Sequence, residues 1–288
     1  MKKQRRLATW LGVLVGTVCA VLLAGRAWAG EPLTQEFHKT YALNADGRVA
    51  LENINGAVTI MGWDRNEVQV DAVKRAKRQD RLDEAKIVVD SNANSISIRT
   101  EYPHHDHTFN WGDDNNPASV DYTLHVPRRA RLDQIDLING SLDIREVSGD
   151  VHASSVNGRL LAKDLAGRAD LSTINGRTEA EFRQLPKSHI KASSVNGSVL
   201  VTIPSDANAE VHASTVSGGI STDFGLNVHR NFVGHSLDGR LGSGGSEIEL
   251  SDVNGRIELR HANDGKTVSP AKSSSDHHHD KDDDDDEI

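Results

Sequence analysis

The chain has 288 residues, with 33 basic against 42 acidic side chains for a formal net charge of −9, and a single cysteine. That balance argues against a nucleic-acid binder, because a mildly acidic body does not attract phosphate backbones. A body of roughly 230 residues buries an adequate core without disulfide staples, so the one cysteine implies no cross-linked framework.

The amino terminus reads as an export signal. Lys2, Lys3, Arg5 and Arg6 precede an apolar run over 7–24, and Ala27-Trp28-Ala29 supplies a small-x-small site before Gly30. This three-part layout predicts a signal peptide over 1–29, cut between Ala29 and Gly30; the competing reading is an uncleaved anchor. Cys19 lies inside the apolar run and lacks the lead of a lipoprotein site. Cleavage removes five basic residues and leaves 28 against 42, or −14, with eight of the acids in 276–288. No stretch after residue 30 is apolar enough to span a membrane.

After a linker over 30–35, residues 37–60 read as opening strands and a first repeat. Glu67–Lys74 continues as a strand, Arg78–Lys86 is the one short helix, and Ile87–Val89 and Ser95–Arg99 are strands around a turn at Ser91–Asn94. Residues 103–117, PHHDHTFNWGDDNNP, form a polar loop. Asp121–Val126 and Leu132 lead into the regular part, 223–245 is looser and Gly-rich, and the Ser, His and Asp composition from 263 to 288 predicts disorder.

The regular part is written around Asn-Gly. Seven segments superimpose: LENINGAVTI from Leu51, IDLINGSLDI from Ile135, ASSVNGRLLA from Ala153, LSTINGRTEA from Leu171, ASSVNGSVLV from Ala192, ASTVSGGIST from Ala213 and LSDVNGRIEL from Leu250. The residue before the Asn is always β-branched, as in Val156, Ile174 and Val195, and an aliphatic usually follows three residues after it. Asn139, Asn157 and Asn175 are 18 apart, and Asn175, Asn196 and Ser217 are 21 apart. Asn and Gly tolerate positive φ, so each pair lets the chain corner between two short alternating strands. The near-constant period predicts an all-β fold, a β-solenoid or β-helix-like stack of about 18–21 residues per coil over 36–262; a hairpin meander is the alternative. One coil cannot stand alone. Ordering 18 backbones costs on the order of 1–2 kcal/mol each, which six buried aliphatics at roughly 1.5–3 kcal/mol each do not offset. The shared phase of Val156, Ile174 and Val195 predicts that they are buried and stack, so that Ile174→Ala would cost roughly 2–5 kcal/mol.

This repeat, apolar-x-x-Val-Asn-Gly-x-apolar-x-apolar behind a signal peptide, resembles the exported bacterial β-strand-repeat family labelled "putative adhesin", a domain of unknown function. The resemblance runs over roughly 36–262, through the closing GSGGSEIELSDVNGRIEL. It implies a solenoid-like fold at the cell envelope, periplasmic or surface-exposed, and brings no activity or catalytic residues.

Chemistry is sparse. There is no Gly-x-Ser-x-Gly, no His-Glu-x-x-His, no phosphate loop and no dinucleotide fingerprint. Asp143, Asp170, Glu179 and Glu258 are interleaved with Arg159, Arg177 and Arg256 rather than paired as a glycosidase needs. The column Ser154-Ser155, Ser172-Thr173, Ser193-Ser194 and Ser214-Thr215 reads as corner hydroxyls bonding local backbone, with a ligand-binding hydroxyl array as the sharper alternative. Metal candidates are His104, His105 and His107 in the loop and His277, His278 and His279 in the tail; a solvated loop and a solubilising tail are the bland readings. No cofactor is implied. The expectation is a non-enzymatic solenoid that binds or scaffolds an envelope polysaccharide or protein, the alternative being a carbohydrate-active β-helix enzyme.

Overall fold

Alternation of apolar and polar residues, punctuated by Gly and Asn, produces eighteen strands and one short helix, α1 (Gln79–Glu84), among the described residues. A computed structural model describes residues 32–102, 117–230 and 232–273. The first part of the chain gives β1 (Leu33–Ala42), β2 (Arg48–Asn55), β3 (Val58–Trp63), β4 (Glu67–Ala76), β5 (Lys86–Asn92), β6 (Ser95–Glu101) and β7 (Ser119–Pro127). The repeats give β8 (Arg131–Asn139), β9 (Leu142–Arg145), β10 (Val151–Asn157), β11 (Leu160–Leu165), β12 (Ala169–Phe182), β13 (His189–Ile203) and β14 (Ala209–Thr222). β15 (His229–Arg230), β16 (His235–Leu241), β17 (Ser246–His261) and β18 (Ala271–Ser273) are the remaining described strands.

Consecutive repeats lie side by side in parallel. β10 pairs with β8 and with β12, placing Asn157 opposite Asn139 and Asn175, and β12 pairs with β13, placing Asn175 opposite Asn196. A hairpin meander would be antiparallel, so the repeat region is all-β and solenoid-like. Each Asn-Gly corner separates a limb in one wall from a limb in a second wall. One wall runs β5–β6–β2–β8–β10–β12–β13–β17–β14–β16–β18, and the other runs β1–β4–β7–β3–β9–β11–β12–β13–β17–β14. Both walls turn aliphatic side chains inward. Four residues before the Asn stand Leu51, Ile135, Ala153, Leu171, Ala192, Leu250 and Ala213, all buried; three after it stand Val58, Leu142, Leu160, Thr178, Val199 and Ile257, buried likewise.

The order of the stack departs from the order of the sequence. The last repeat, on β17, lies between β13 and β14: Asn196 and Ser217 are both opposite Asn254. The spacing of 21 residues from Asn196 to Ser217 therefore does not mark adjacent rungs. Every rung carries nearly the same inward pattern, so packing alone does not choose their order. Here β16 folds back antiparallel on the first limb of β14, and the chain then returns as β17 on the other side of β14. The first repeat also joins from a distance, since β2 and β3 pair with β8 and β9 and put Asn55 opposite Asn139.

Beyond residue 263 the described residues, as far as Ser273, are still tied to the body. Ala271–Ser273 pair with β16, and Gly242 N donates to Pro270 O at 2.9 Å, supplying backbone partners that the polar composition did not suggest.

Candidate functional site

The corner inverts the usual sense of hydrophobicity. Two residues before each Asn, the side chain points inward, and this position holds Asn53, Leu137, Ser155, Thr173, Ser194, Asp252 and Thr215, none more than 3% exposed. One residue before the Asn, the turning backbone aims the side chain outward. Ile54, Ile138, Ile174, Val195, Val253 and Val216 are 38–55% exposed there, with Val156 half-buried. The expected burial of Val156, Ile174 and Val195 is thus overturned. Their β-branched side chains suit the extended backbone that enters the corner rather than a place in the core.

Three of the inward hydroxyls serve the backbone that the corner strands, while Ser155 Oγ, in the same column, has no partner among the described residues. Thr173 Oγ1 donates to Gly176 O at 3.2 Å, Ser194 Oγ to Gly176 O at 3.1 Å and Thr215 Oγ1 to Gly255 O at 3.5 Å. The bland reading of the Ser/Thr column holds for these buried members. Asp252 sits in the same column between Ser194 and Thr215, and neither of its carboxylate oxygens has a hydrogen-bond partner of normal geometry. Burial pushes its pKa up to about 6, and the backbone N–H groups of Asn254 and Val253 offset this only in part.

Outside the corner the Asn side chains form a ladder. Asn139 Nδ2 donates to Asn55 Oδ1 at 3.0 Å, Asn157 to Asn139 at 2.9 Å, Asn175 to Asn157 at 2.8 Å, Asn196 to Asn175 at 3.0 Å and Asn254 to Asn196 at 2.9 Å. Each amide gives and receives in the same sense, so the bonds reinforce one another. Beside the ladder, the glycines let adjacent rungs touch. A Cβ built on Gly140, Gly158, Gly176, Gly197 or Gly255 would overlap the carbonyl oxygen of the glycine on the next rung.

The result is a straight, regular surface. Seven aliphatic side chains stand in the order Ile54, Ile138, Val156, Ile174, Val195, Val253 and Val216, flanked by the Asn ladder. Rungs roughly 4.8 Å apart make the stripe about 29 Å long. On its other flank lie Ser154, Ser172, Ser193, Ser251 and Ser214, so most of that border is polar and uncharged. Scattered exposed aliphatics are ordinary, whereas a contiguous column is a candidate interaction surface. The sequence contained the signal, but a β-branched residue at a fixed phase reads as core until the corner geometry is known.

The remaining candidates divide plainly. His104, His105, His107, His277, His278 and His279, and the Ala29-Gly30 site, lie outside the described residues. Among the described residues no three His, Cys, Asp or Glu side chains come together as a metal cluster. Three of the four outward acids have a basic neighbour: Asp143 lies 2.7 Å from Arg145, Asp170 3.4 Å from His152 and Glu258 3.9 Å from Arg256. Among the described residues, shallow grooves indent the surface at two places. One holds Asp90 and Asp133, which pair with Arg99 and Arg48; the other holds Asp206, which pairs with Lys266. No helix among the described residues is long and apolar enough to cross a membrane.

This stacked, parallel repeat has a counterpart among protein families. Residues 130–260 match the family model Toastrack DUF4097. The match spans the regular repeats, so over those residues the chain is similar to that family. No curated protein matches the chain. Among solved structures, a putative cell adhesion protein from Clostridium sporogenes is 11% identical, with 79% of this chain and 100% of that one covered and a TM-score of 0.45. A putative adhesin from Bacteroides fragilis is 11% identical over 79% of this chain and 97% of its own, at 0.28. A putative lipid binding protein from Parabacteroides distasonis is 10% identical over 81% and 98%, at 0.30. These TM-scores are all below 0.5, so the solenoid-like architecture described above rests on the strand pairings themselves.

Proposed function

We propose that this protein is an exported, non-enzymatic binding scaffold of the cell envelope, cut between Ala29 and Gly30, whose 18–21 residue repeats act as coils that carry one ligand surface. The observation that carries this reading is the aliphatic stripe from Ile54 to Val216, held outward at every rung and bordered by the Asn ladder. A flat apolar column with a uniform step suits an extended polymeric ligand, polysaccharide or protein, better than a small molecule, which prefers a concave site. Its rigidity is an advantage, because a surface fixed by ladder bonds loses little conformational freedom on binding.

The test is to replace Ile138, Ile174 and Val195 with Ser together and measure retention on the isolated envelope fraction and on its separated polysaccharide and protein components. Binding should fall at least about tenfold, while stability changes by no more than about 0.5 kcal/mol per exposed site. Unchanged binding by the folded variant would remove the stripe from the function. A large loss of stability would restore the buried reading of Ile174.

A further inference from the structure

The two walls end differently at β14. Its first limb, Ala209–Thr215, has β17 on one side and β16 on the other. Its second limb, from Ser217 to Thr222, pairs with β17 alone, and no strand among the described residues lies on its other side. One alternating set of N–H and C=O groups along that limb therefore has no ladder partner. The side chains show the same open end. Ile220 and Thr222 occupy inward positions that Ile257 and Leu259 fill on the next rung at 0% and 1% exposure, yet both are only half-buried. Gly234, with φ of +83°, immediately precedes β16 beside Thr215 and Val216, so the chain enters the covering strand only opposite Thr215 and leaves the second limb uncovered. Just before Gly234, Val233 is 65% exposed and Phe232 is wholly exposed.

Open edges in soluble proteins are normally guarded by charge or proline. β1, which pairs only with β4 at the opposite end of the same wall, carries Glu36, His38 and Lys39. β5, the edge of the other wall, carries Lys86 and Asp90. The segment 217–222 reads SGGIST, with neither. It also breaks the repeat, with Ser217 in place of Asn and Gly219 where other rungs carry Ala, Ser or Arg.

We infer that Ser217–Thr222 is a dimerisation edge, pairing antiparallel with the same segment of a second copy while Phe232 and Val233 of both copies close over the open end of the core. A twofold contact needs one self-complementary patch, and an uncharged strand meets its own copy without local repulsion although the chain carries −9 overall. Six residues of strand and a phenylalanine that buries about 150–250 Å² reach several hundred Å² per partner, short of the roughly 800 Å² of a standard interface. The dimer is accordingly weak and reversible.

Sedimentation velocity of the protein, purified as the cell exports it, tests this over about 1 to 200 µM, concentrations that populate both species of a weak, reversible dimer. The average mass should rise toward twice the monomer. Ser221→Lys and Phe232→Ser should each weaken association at least about tenfold, one 1.4 kcal/mol step, without moving the monomer's thermal midpoint. Val195→Ser, on the stripe, should leave association unchanged. Phe232 is wholly exposed, so its variant decides the matter even if Ser221→Lys misfolds. A monomer throughout the range, or a dimer indifferent to Phe232→Ser, would overturn the inference. So would a monomer whose 217–222 amides gain protection only from a strand of a different protein.

Discussion

Replacing Asp252 with Thr is expected to stabilise the protein at about pH 8 by roughly 1–3 kcal/mol, the cost of an unsatisfied buried polar group, and to have little effect near pH 3.5. The argument starts from the column that Asp252 shares with Ser194 and Thr215, both of which give a hydroxyl proton to a glycine carbonyl. A Cβ built on Gly255 would meet both Gly197 O and Asp252 Oδ2, the latter at 2.7 Å, so the carboxyl lies beside the corresponding carbonyl. An ionised carboxylate has no proton to give, and only the neutral acid can complete the pattern. Burial has raised the folded pKa to about 6, against an unfolded value of about 3.9. The native state holds this proton more tightly than the unfolded state, so the group's contribution is fully present below about pH 4 and is lost as pH rises through about 6. Urea unfolding of both proteins across this range checks it. Parallel pH profiles for wild type and Asp252→Thr would show that Asp252 is not the group responsible.

Gly197→Ala is expected to destabilise by about 3 kcal/mol or more, at the severe end of single substitutions. Its Cβ would overlap Gly176 O and approach Ser194 Oγ at 2.8 Å. The obstacle is backbone, and Gly176 is itself pressed against Gly158 O, so the rungs cannot shift singly. Gly225→Ala is the control, since a Cβ there meets nothing within 4 Å, and it should stay within about 0.5 kcal/mol of wild type. Midpoints of denaturant unfolding at constant slope measure both. Equal, small effects would mean that the glycine column does not set the distance between rungs.

Much of this architecture is legible in the sequence because the repeat is chemical as well as periodic. Asn157-Gly158 and Asn175-Gly176 announce corners, and Leu171 and Val199 at their phases announce the two inner walls. Gln79–Glu84 also forms the one helix expected between Arg78 and Lys86. Two features were not legible. At the corner, buried Thr173 and exposed Ile174 reverse the rule that apolar residues go inside, because stranded backbone carbonyls demand donors there. The place of β17 was hidden for another reason. Parallel rungs with one shared pattern are interchangeable until the connections are known, and the only hint is that Ser217 and Asn254 stand nearly two repeat lengths apart. The candidate surface inherits both blind spots, since it consists of the misread column and is continuous only because β17 fills the gap between β13 and β14.

That continuity is open to one direct measurement. With Cys19 replaced by Ser, cysteines are placed in pairs on the outward face, at Ser193 and Ser251 or at Ser193 and Ser214. Ser193 and Ser251 are register partners on adjacent rungs, whereas Ser193 and Ser214 are two rungs apart with Ser251 between them. Adjacent rungs put Cα atoms roughly 4.8 Å apart, within disulfide range, and two rungs put them about 9.6 Å apart, beyond the limit near 7 Å. Mild oxidation should therefore close the Ser193→Cys/Ser251→Cys pair and leave the Ser193→Cys/Ser214→Cys pair reduced. Closure of the second pair and not the first would place the repeats in sequence order and break the stripe on which the proposed function rests.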